Sequence, residues 1–513
     1  WGDVRSDGTS TSHGSKSTGS IPFMRVVDSQ MLAFNQGTTR RGSYACYMDI
    51  SHPEIEEFLF MRKSSGGDAN RKCLNLHHGI NITDDFMTAV NKNIDWKLID
   101  PHSKKVAKSI NARELWRLIL ETRHETGEPY LHFVDTSNRS LPETQKKLGL
   151  SIKQSNLCSE ITLPTDEDRT AVCCLSSVNL AKYDEWSTSP TFIPDMVRML
   201  DNVLEHFIQA TYDFSYDYKG DVLEMKVKEG MEGFTKAGYS AYRERSLGLG
   251  AMGFHTYLQK LNVPFEGPIA TGQNLKMFRQ IKELANKTSM ELAEERGEAP
   301  DMEGTGMRNA HLLAIAPNAT SSIICGGTSP SIEPIRANVF IHKTLNGSFQ
   351  VRNRQLHNLL KQKWNNSEEL QKEYDSDYQQ FKDKIWQSIS ENTGSVKHLD
   401  FLTDLEKDVF KTADEIDQNW IIEHASKRQE FICQAQSVNL FFVAPRVQAK
   451  QEDHDNFLRY TNKVHYQAWK KGLKSLYYLR SREGKSAENI NIKVKRVRLE
   501  QEATEEECLS CEA

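Results

Sequence analysis

The chain has 513 residues and a formal net charge of −5 at pH 7, a length that suits a large core domain with additions or two domains. The acidic balance argues against a polymeric nucleic acid as partner, because neutralising its backbone requires a basic excess. No apolar run approaches the roughly 20 residues that cross a bilayer, and the first thirty residues lack a signal peptide's apolar stretch, so we expect a cytoplasmic protein without a membrane segment.

The first two segments read as loops. Residues 1 to 20 are rich in Gly, Ser and Thr, a composition typical of a flexible linker. Gly37 and Gly42 then bracket Arg40 and Arg41, and an apolar, strand-like run follows. This pattern predicts a mobile basic loop between ordered segments.

The stretch "KQSNLCSEITLPTDEDRTAVCCLSSVNL" combines a polar row with three thiols. Asn156, Cys158 and Glu160 lie at i, i+2 and i+4, so they share one face if the segment is extended. The turn residues "PTDED" then predict a hairpin that places Cys173 near Cys158 across the two strands.

Three interpretations of these thiols stay open at this point. Free cysteine usually behaves as a small buried hydrophobe, although the polar neighbours of Cys158 weaken that interpretation for this residue. Zinc is disfavoured, because no histidine occurs between positions 133 and 205. The nine cysteines are an odd number without regular spacing, which favours free or chemically active thiols over structural disulfides.

Helices are predicted over 192 to 208 and over 275 to 296, where apolar residues recur at helical spacing and the second run stops at Gly297. Between them, Gly248, Gly250 and Gly253 fit the pattern GxGxxG. The preceding residues form no convincing buried strand and no acidic residue follows at about 20 positions, so we expect close backbone packing and not a dinucleotide site.

Thr320, Ser321 and Ser322 gather just after Pro317 in "APNATSS". Hydroxyls and free backbone N–H groups at a helix start can form a phosphate cradle, although an ordinary N-cap has the same appearance. Residues 341 to 425 are rich in polar residues and Trp without a sustained strand pattern, which predicts helices on the surface of the molecule.

The C-terminal end holds two further pairs. Tyr477 and Tyr478 are adjacent in "KSLYYLRSR", which normally indicates aromatic packing. The sequence after Tyr478 is highly charged and predicts a mobile tail. The tail ends in Cys508 and Cys511, a CxxC spacing suited to dithiol–disulfide exchange.

Taken in this order, "NLCSE", the adjacent tyrosines and the terminal CxxC resemble the large subunit of class I ribonucleoside-diphosphate reductase, from near residue 1 to the last cysteines. The resemblance implies an α/β fold, a ten-stranded α/β barrel with a central finger loop that carries the reactive cysteine. It also implies a catalytic barrel core over 1–340, a helical segment and the end of the barrel over 341–480, and a flexible redox tail over 481–513.

By this resemblance, Cys158 becomes a thiyl radical that abstracts the 3′ hydrogen of a ribonucleoside diphosphate. Glu160 would act as general base, Asn156 would hydrogen-bond the sugar hydroxyls and Ser155 would contribute to substrate binding. Cys173 would be one member of the dithiol that reduces the 2′ position. Cys174 is expected to be a bystander, because adjacent cysteines bridge only with strained geometry.

The resemblance also implies partners. Tyr477 and Tyr478 would relay the radical from a small subunit whose metal cofactor generates it, so this chain would bind no metal or other cofactor directly. Cys508 and Cys511 would re-reduce the active-site disulfide and then be reduced by thioredoxin or glutaredoxin. The assembled large subunit would be a homo-oligomer.

Nucleotide-binding residues follow from the same resemblance. Thr320, Ser321 and Ser322 fall where the family binds the substrate diphosphate, and Ala319 stands where some relatives have glutamate. The resemblance also implies an effector loop that responds to nucleoside triphosphates, with Gln36, Arg40 and Arg41 as candidate residues. The opening segment resembles a neighbouring effector loop, so the linker interpretation is dropped.

One departure from the family is the second cysteine of the reducing dithiol, which lies upstream of residue 1. Because the chain begins at Trp1, we expect a separate N-terminal chain to supply that cysteine and part of the substrate site. Two other functions stay open: a non-catalytic assembly or regulatory remnant of a reductase, and a thiol–disulfide carrier that uses the terminal CxxC.

Overall fold

A computed structural model describes residues 1–36, 40–217, 222–344, 347–445 and 449–482 of the chain. The helices are α1 (Ile21–Ala33), α2 (Ile55–Phe60), α3 (Asp84–Lys92), α4 (Ala112–Thr126), α5 (Val134–Arg139), α6 (Glu143–Lys147), α7 (Tyr183–Trp186), α8 (Phe192–Thr211), α9 (Thr235–Glu244), α10 (Phe254–Lys260), α11 (Pro268–Arg296), α12 (Ser321–Ile324), α13 (Arg354–Asn366), α14 (Glu368–Glu373), α15 (Tyr378–Glu391), α16 (Asp404–Val409), α17 (Gln418–Gln429) and α18 (Gln451–Lys470). The strands are β1 (Asn35–Gln36), β2 (Arg40–Arg41), β3 (Ala45–Asp49), β4 (His77–Ile82), β5 (Asp95–Ile99), β6 (Val106–Asn111), β7 (Tyr130–Phe133), β8 (Leu175–Asn179), β9 (Tyr212–Tyr216), β10 (Val222–Val227), β11 (Gly248–Met252), β12 (Val339–Thr344), β13 (Gly347–Arg352), β14 (Leu440–Phe442), β15 (Ser475–Leu476) and β16 (Leu479–Ser481).

The four-stranded sheet has the order β15-β7-β4-β3. Strands β3, β4 and β7 run parallel, with helices in the connections between them, and β15 runs antiparallel to β7. Parallel strands need such crossovers, and helices on their faces bury them. Gly79 in β4 makes room for a neighbouring ring, because a Cβ there would lie 2.4 Å from Cε1 of Tyr47.

A second set of parallel strands continues on the other side of β15. Strand β8 pairs with β11, single parallel bridges join Leu249 to Leu313 and Ile315 to Gln436, and β14 pairs with β16. Tyr477 and Tyr478 lie between β15 and β16, so they sit where the two sets meet. The α/β class is confirmed, whereas the described residues do not form a closed barrel of ten strands.

The predicted helices over 192–208 and 275–296 are confirmed as α8 and α11, and Gly297 ends α11 with φ 84°. The opening segment is a loop, as its composition indicates. It is anchored, because the backbone N–H and the hydroxyl of Ser6 both donate to the carboxylate of Asp100, at 2.8 and 2.7 Å. No helix among the described residues is long and apolar enough to cross a membrane.

The prediction for residues 341 to 425 was wrong in one respect. An antiparallel hairpin of β12 and β13 opens the segment, ahead of the helices α13 to α16. This segment also has a small hydrophobic core of its own, in which Phe381 and Trp386 are fully buried. The polar composition hid both features, because the apolar side chains of this core are spread among many polar residues.

Candidate functional site

The polar row around Cys158 lies in a tight turn and not in an extended strand. The N–H of Ser159 donates to the carbonyl of Asn156 at 3.1 Å, and the N–H of Asn156 donates to the carbonyl of Ile161 at 3.2 Å. Ser159 has φ 65°, a left-handed conformation that is uncommon for serine. The predicted hairpin was also wrong, since no strand forms between this turn and Leu175 at the start of β8.

Side chains from the C-terminal half hold this turn in place. The Ser437 hydroxyl donates to the carbonyl of Cys158, and the Ser475 hydroxyl donates to the carbonyl of Ser159 at 2.7 Å. The N–H of Ala435 donates to the carbonyl of Glu160 at 2.9 Å. Three consecutive residues of the turn are therefore fixed by segments about 280 to 320 positions away.

The turn brings the three predicted polar side chains together. Burial raises the pKa of Glu160, while hydrogen bonds to its own N–H, to Asn156 and to Ser437 oppose that rise. The Asn156 side chain also accepts from the N–H of Ile161 at 3.0 Å, which fixes its orientation. Burial and the Glu160 carboxylate raise the pKa of Cys158 to about 11, so its sulfur keeps its proton at neutral pH.

Cys173 faces the same group of side chains, although part of it is open to solvent. The protein packed around its thiol raises the pKa to about 12, and the nearby charges of Glu160 and Cys158 contribute to the rise. Cys174 is buried, and its thiol points to the carbonyl of Leu200 at 3.5 Å in α8. The two adjacent thiols therefore face different surroundings.

The two adjacent tyrosines lie beside Cys158. The ring centroids of Tyr477 and Tyr478 are 4.3 Å apart, and Tyr477 is buried in a cluster that also contacts Cys158. The Tyr477 hydroxyl interacts with the Cys158 thiol and opposes the rise of its pKa. The pair thus forms a continuous path of side chains that ends at the sulfur.

Sequence reasoning missed the groups that surround this pair. Tyr130 packs with its ring centroid 4.7 Å from that of Tyr477 and 5.1 Å from that of Tyr478. Tyr47 donates its hydroxyl to the carbonyl of Asn156 at 3.2 Å. Both tyrosines lie on buried parallel strands. In such an apolar run, sequence alone does not distinguish a functional side chain from those that only pack in the core.

Ser437 and Ser475 were also missed. The segments "QAQSVNL" and "KSLYYL" show no regular alternation of polar and apolar residues. No local pattern therefore singles out these two hydroxyls, because the groups that they contact lie about 280 to 320 positions away in the sequence.

The predicted phosphate cradle lies at the start of the short helix α12. Thr320 and Ser321 are exposed, whereas the Ser322 hydroxyl is already used, because it donates to the carbonyl of Ala319 at 3.1 Å. A cavity of about 440 Å³ borders Ala319 and Ser322. Its lining includes three guanidinium groups, those of Arg336, Arg352 and Arg482.

The glycine-rich motif serves close packing, as predicted. A Cβ at Gly250 would lie 2.5 Å from the carbonyl oxygen of Ala314, and one at Gly248 would lie 3.2 Å from the Cβ of Ala314. Gly253 has φ 87°. The first two glycines lie inside the buried strand β11, which lets the neighbouring segment approach.

For the remaining predicted residues, the structure describes only the backbone or nothing at all. The backbone of Gln36 pairs with that of Arg40, and Arg41 pairs with Asn35, in the small β1–β2 ladder, but their side chains are not among the described groups. Cys508 and Cys511 lie outside the described residues. Their predicted roles stay predictions.

Comparison with known proteins gives a family match along the chain. The model described as the ribonucleotide reductase barrel domain matches residues 1–305 and 300–479. The two matched ranges include the turn at Cys158, the start of α12 and both adjacent tyrosines.

Relatives match the chain over nearly all of its length. The putative ribonucleoside-diphosphate reductase large subunit of Frog virus 3 is 45% identical over 512 residues, which is 100% of this chain and 81% of that protein. The large subunit of Invertebrate iridescent virus 3 is 42% identical, covering 97% of this chain and 80% of that protein. The class Id ribonucleotide reductase alpha subunit of Actinobacillus ureae has a similar structure, with a TM-score of 0.74, 32% identity, and coverage of 94% of this chain and 77% of that one.

Proposed function

This chain belongs to the family of ribonucleoside-diphosphate reductase large subunits, and from that premise we propose which of its residues carry out the reaction. Its activity is the reduction of ribonucleoside diphosphates to 2′-deoxyribonucleoside diphosphates, an oxidoreductase reaction that supplies DNA precursors. One observation carries the residue assignment: the Tyr477–Tyr478 pair ends at the Cys158 thiol, which shares its turn with Glu160.

The first chemical step belongs to Cys158. A neutral thiyl radical takes the 3′ hydrogen atom of the ribose, which forms an S–H bond and leaves a carbon radical. Glu160 accepts the proton of the 3′ hydroxyl as general base, and Asn156 and Ser155 bind the sugar hydroxyls. The raised pKa of Cys158 supports this role, because a hydrogen-atom donor must hold its S–H bond before it is oxidised.

Reduction at the 2′ carbon requires two electrons and two protons from a dithiol. Cys173 supplies one thiol, the 2′ hydroxyl leaves as water, and the dithiol ends as a disulfide. A separate N-terminal large-subunit chain is the proposed source of the second thiol, and assays of CDP reduction with and without candidate N-terminal chains test this.

The radical enters through Tyr478 and passes through Tyr477. A separate small subunit would supply the one-electron oxidant, which its metal cofactor would generate. The relay then runs by hydrogen-atom transfer, in which each tyrosyl radical takes a hydrogen atom from the next group, and it ends when Tyr477 takes the hydrogen of Cys158. After turnover, Cys508 and Cys511 reduce the active-site disulfide and are reduced by thioredoxin or glutaredoxin.

The nucleotide sites complete the proposal. Thr320, Ser321 and Ser322, beside Ala319, would bind the substrate diphosphate, with the two exposed hydroxyls as direct donors. The effector candidates are those of the sequence prediction: Gln36, Arg40 and Arg41. We propose that effector nucleoside triphosphates act through them, in a homo-oligomer of the assembled large subunit located in the cytoplasm, where reduced thiols persist.

The observed strand pairs fit part of a ten-stranded barrel. Two sets of parallel strands meet at β15, and the turn with Cys158 lies against both, as a finger loop inside a barrel would. In this proposal 1–340 form the catalytic core, 341–480 the helical segment and the end of the barrel, and 481–513 the redox tail.

The relay is tested by a Tyr477→Phe substitution in the holoenzyme reconstituted with its small subunit. The variant keeps the ring packing but cannot form a tyrosyl radical, so CDP reduction should fall to background while substrate binding persists. Tyr257→Phe is the control, because Tyr257 is also buried and its hydroxyl donates to the carboxylate of Asp184 and not to a group of the relay. Full activity of Tyr477→Phe would reject the relay. A parent chain that is inactive in the reconstituted holoenzyme would instead favour a non-catalytic remnant or a thiol–disulfide carrier.

A further inference from the structure

The hydroxyl of Tyr478 lies beside an imidazole that the reaction above does not use. Nδ1 of His77 is 3.2 Å from the Tyr478 hydroxyl oxygen and 2.6 Å from Oε1 of Glu128. The His77 ring is also nearly perpendicular to that of Tyr478, with centroids 6.0 Å apart. One ring nitrogen thus faces both a phenol and a carboxylate.

Glu128 is fully buried and is held as an anion. Burial alone would raise its pKa, but the Arg62 guanidinium at 3.2 Å and hydrogen bonds from His77 and His78 outweigh burial and hold the pKa well below its usual range. Nδ1 of His78 lies 3.0 Å from the carboxylate, and the N–H of the same residue donates to it at 3.1 Å. The carboxylate is therefore an acceptor for each of these contacts.

The ionised carboxylate decides where the proton of His77 lies. A contact of 2.6 Å between Nδ1 and an anionic oxygen requires a hydrogen between them, so Nδ1 carries the proton and donates. The Tyr478 oxygen, 3.2 Å from the same nitrogen, then accepts a share of that N–H. The Tyr478 hydroxyl therefore cannot donate its own proton to Nδ1 of His77.

We propose that His77 is a positioning residue of the radical relay, whose Nδ1–H is oriented by Glu128 and donates a hydrogen bond to the hydroxyl oxygen of Tyr478. The inference rests on the proposed relay for its function, whereas the hydrogen bond itself is a property of this chain. The contact joins the first residue of β4 to a residue between β15 and β16, 401 positions away in the sequence.

The hydrogen bond would act when the radical passes from Tyr478 to Tyr477. In that step the Tyr478 radical takes a hydrogen atom from the Tyr477 hydroxyl, so one O–H bond breaks, another forms, and no charge is left behind. The Nδ1–H of His77 occupies one side of the Tyr478 oxygen and is not transferred. The oxygen is thereby held with its other side available to Tyr477, with which it already interacts.

Two other groups face the Tyr478 ring. The Arg480 guanidinium lies 4.1 Å from its centroid, and the Tyr130 ring meets it edge-on at 5.1 Å. Burial raises the pKa of Tyr478, the Glu128 charge adds to the rise, and Tyr130, Arg480 and Tyr477 oppose it. Among these, His77 is the imidazole donor that a single substitution can remove.

The test measures the ionisation of the Tyr478 phenol in the chain by itself. A polyfluorinated tyrosine at position 478, which ionises below the native tyrosines, is titrated by absorbance in the parent and in His77→Leu. A hydrogen bond to the phenolate favours the charged form, so its loss should raise the pKa of the probe by about one unit, the lower end for a bond to a charged group. His77→Asn should restore most of the parent value, because its amide N–H can occupy the place of Nδ1–H.

The control is His102→Leu, the same substitution in the exposed turn between β5 and β6, which should leave the titration unchanged. An unchanged or lower pKa in His77→Leu would overturn the inference, and so would a value for His77→Asn equal to that of His77→Leu. This titration needs no turnover, so failure of the hydrogen bond is distinguished from failure of the relay, which the Tyr477→Phe assay reports.

Discussion

At the scale of single residues, the turn at Cys158 combines a thiol that keeps its proton with a carboxyl group whose pKa is raised. Burial raises the pKa of both groups, and the charge of Glu160 raises that of Cys158 further. The two effects suit a thiol that loses a hydrogen atom and a carboxylate that accepts a proton more readily than an exposed one. Ser437 limits the rise at Glu160, because its hydroxyl lies 3.4 Å from the carboxylate.

We expect this balance to appear in the pH dependence of turnover. Glu160 must be ionised to act as base, so activity should increase with pH through its raised pKa. Ser437→Ala removes a hydrogen bond that lowers this pKa, so the acid limb of the kcat profile should move to higher pH. Glu160→Gln should remove the limb and lower kcat by roughly 10²- to 10⁴-fold.

The measurement is the kcat profile for CDP reduction, with Cys174→Ala as a control that removes a thiol facing α8. An acid limb that moves to lower pH in Ser437→Ala would contradict the assignment of Glu160.

At the scale of elements, the glycines of β11 allow the segment around Ala314 to pack closely. Gly250→Ala would place a Cβ 2.5 Å from a backbone oxygen, which cannot move as a flexible side chain could. We therefore expect a loss of about 1–3 kcal/mol in the free energy of unfolding, the usual range for overpacking. The midpoint of urea unfolding measures it.

Gly272→Ala in α11 is the matched control. A Cβ at Gly272 meets nothing within 4 Å, so the substitution should stabilise the helix by about 0.4–1 kcal/mol. An equal midpoint for the two variants would show that β11 tolerates a side chain, contrary to the packing interpretation.

Sequence pattern predicts those helices and strands that are determined by the residues of the segment itself. The helical spacing over 192–208 and the stop at Gly297 are properties of the segments themselves, and both were confirmed. The turn at Ser159 is different, because serine has no strong preference for φ 65° and the conformation depends on Ser437 and Ser475. An i, i+2, i+4 pattern cannot show bonds from residues hundreds of positions away.

The candidate site likewise has one part that the sequence predicts and another part that depends on tertiary packing. The polar character of Asn156, Cys158 and Glu160 was visible in sequence, and the structure brings their side chains together. The contact of His77 with Tyr478 was not visible, since it depends on how β4 packs against the C-terminal strands. Residue type indicates chemistry, whereas tertiary packing decides which groups meet.

At the scale of the whole molecule, the proposed reaction needs electrons delivered to a site near the junction of two sets of strands. The part of Cys173 that is open to solvent offers access for a reductant. We expect Cys508→Ser with Cys511→Ser to stop thioredoxin-driven turnover after the first cycle, because the disulfide is no longer reduced. Dithiothreitol, which is small enough to reach Cys173 directly, should restore turnover.

The assay follows CDP reduction over time with each reductant. Cys325→Ser is the control, because Cys325 is an exposed cysteine outside the tail. Equal thioredoxin-driven rates in the tail variant and this control would contradict the role of the tail.

The central claim is that Cys158 carries the radical that attacks the substrate. Its most direct test is inactivation of the reconstituted holoenzyme by a mechanism-based 2′-substituted nucleoside diphosphate. The account predicts time-dependent loss of activity and of the small-subunit radical in the parent, and no loss of that radical in Cys158→Ala. Unchanged loss of the radical in Cys158→Ala would contradict the account.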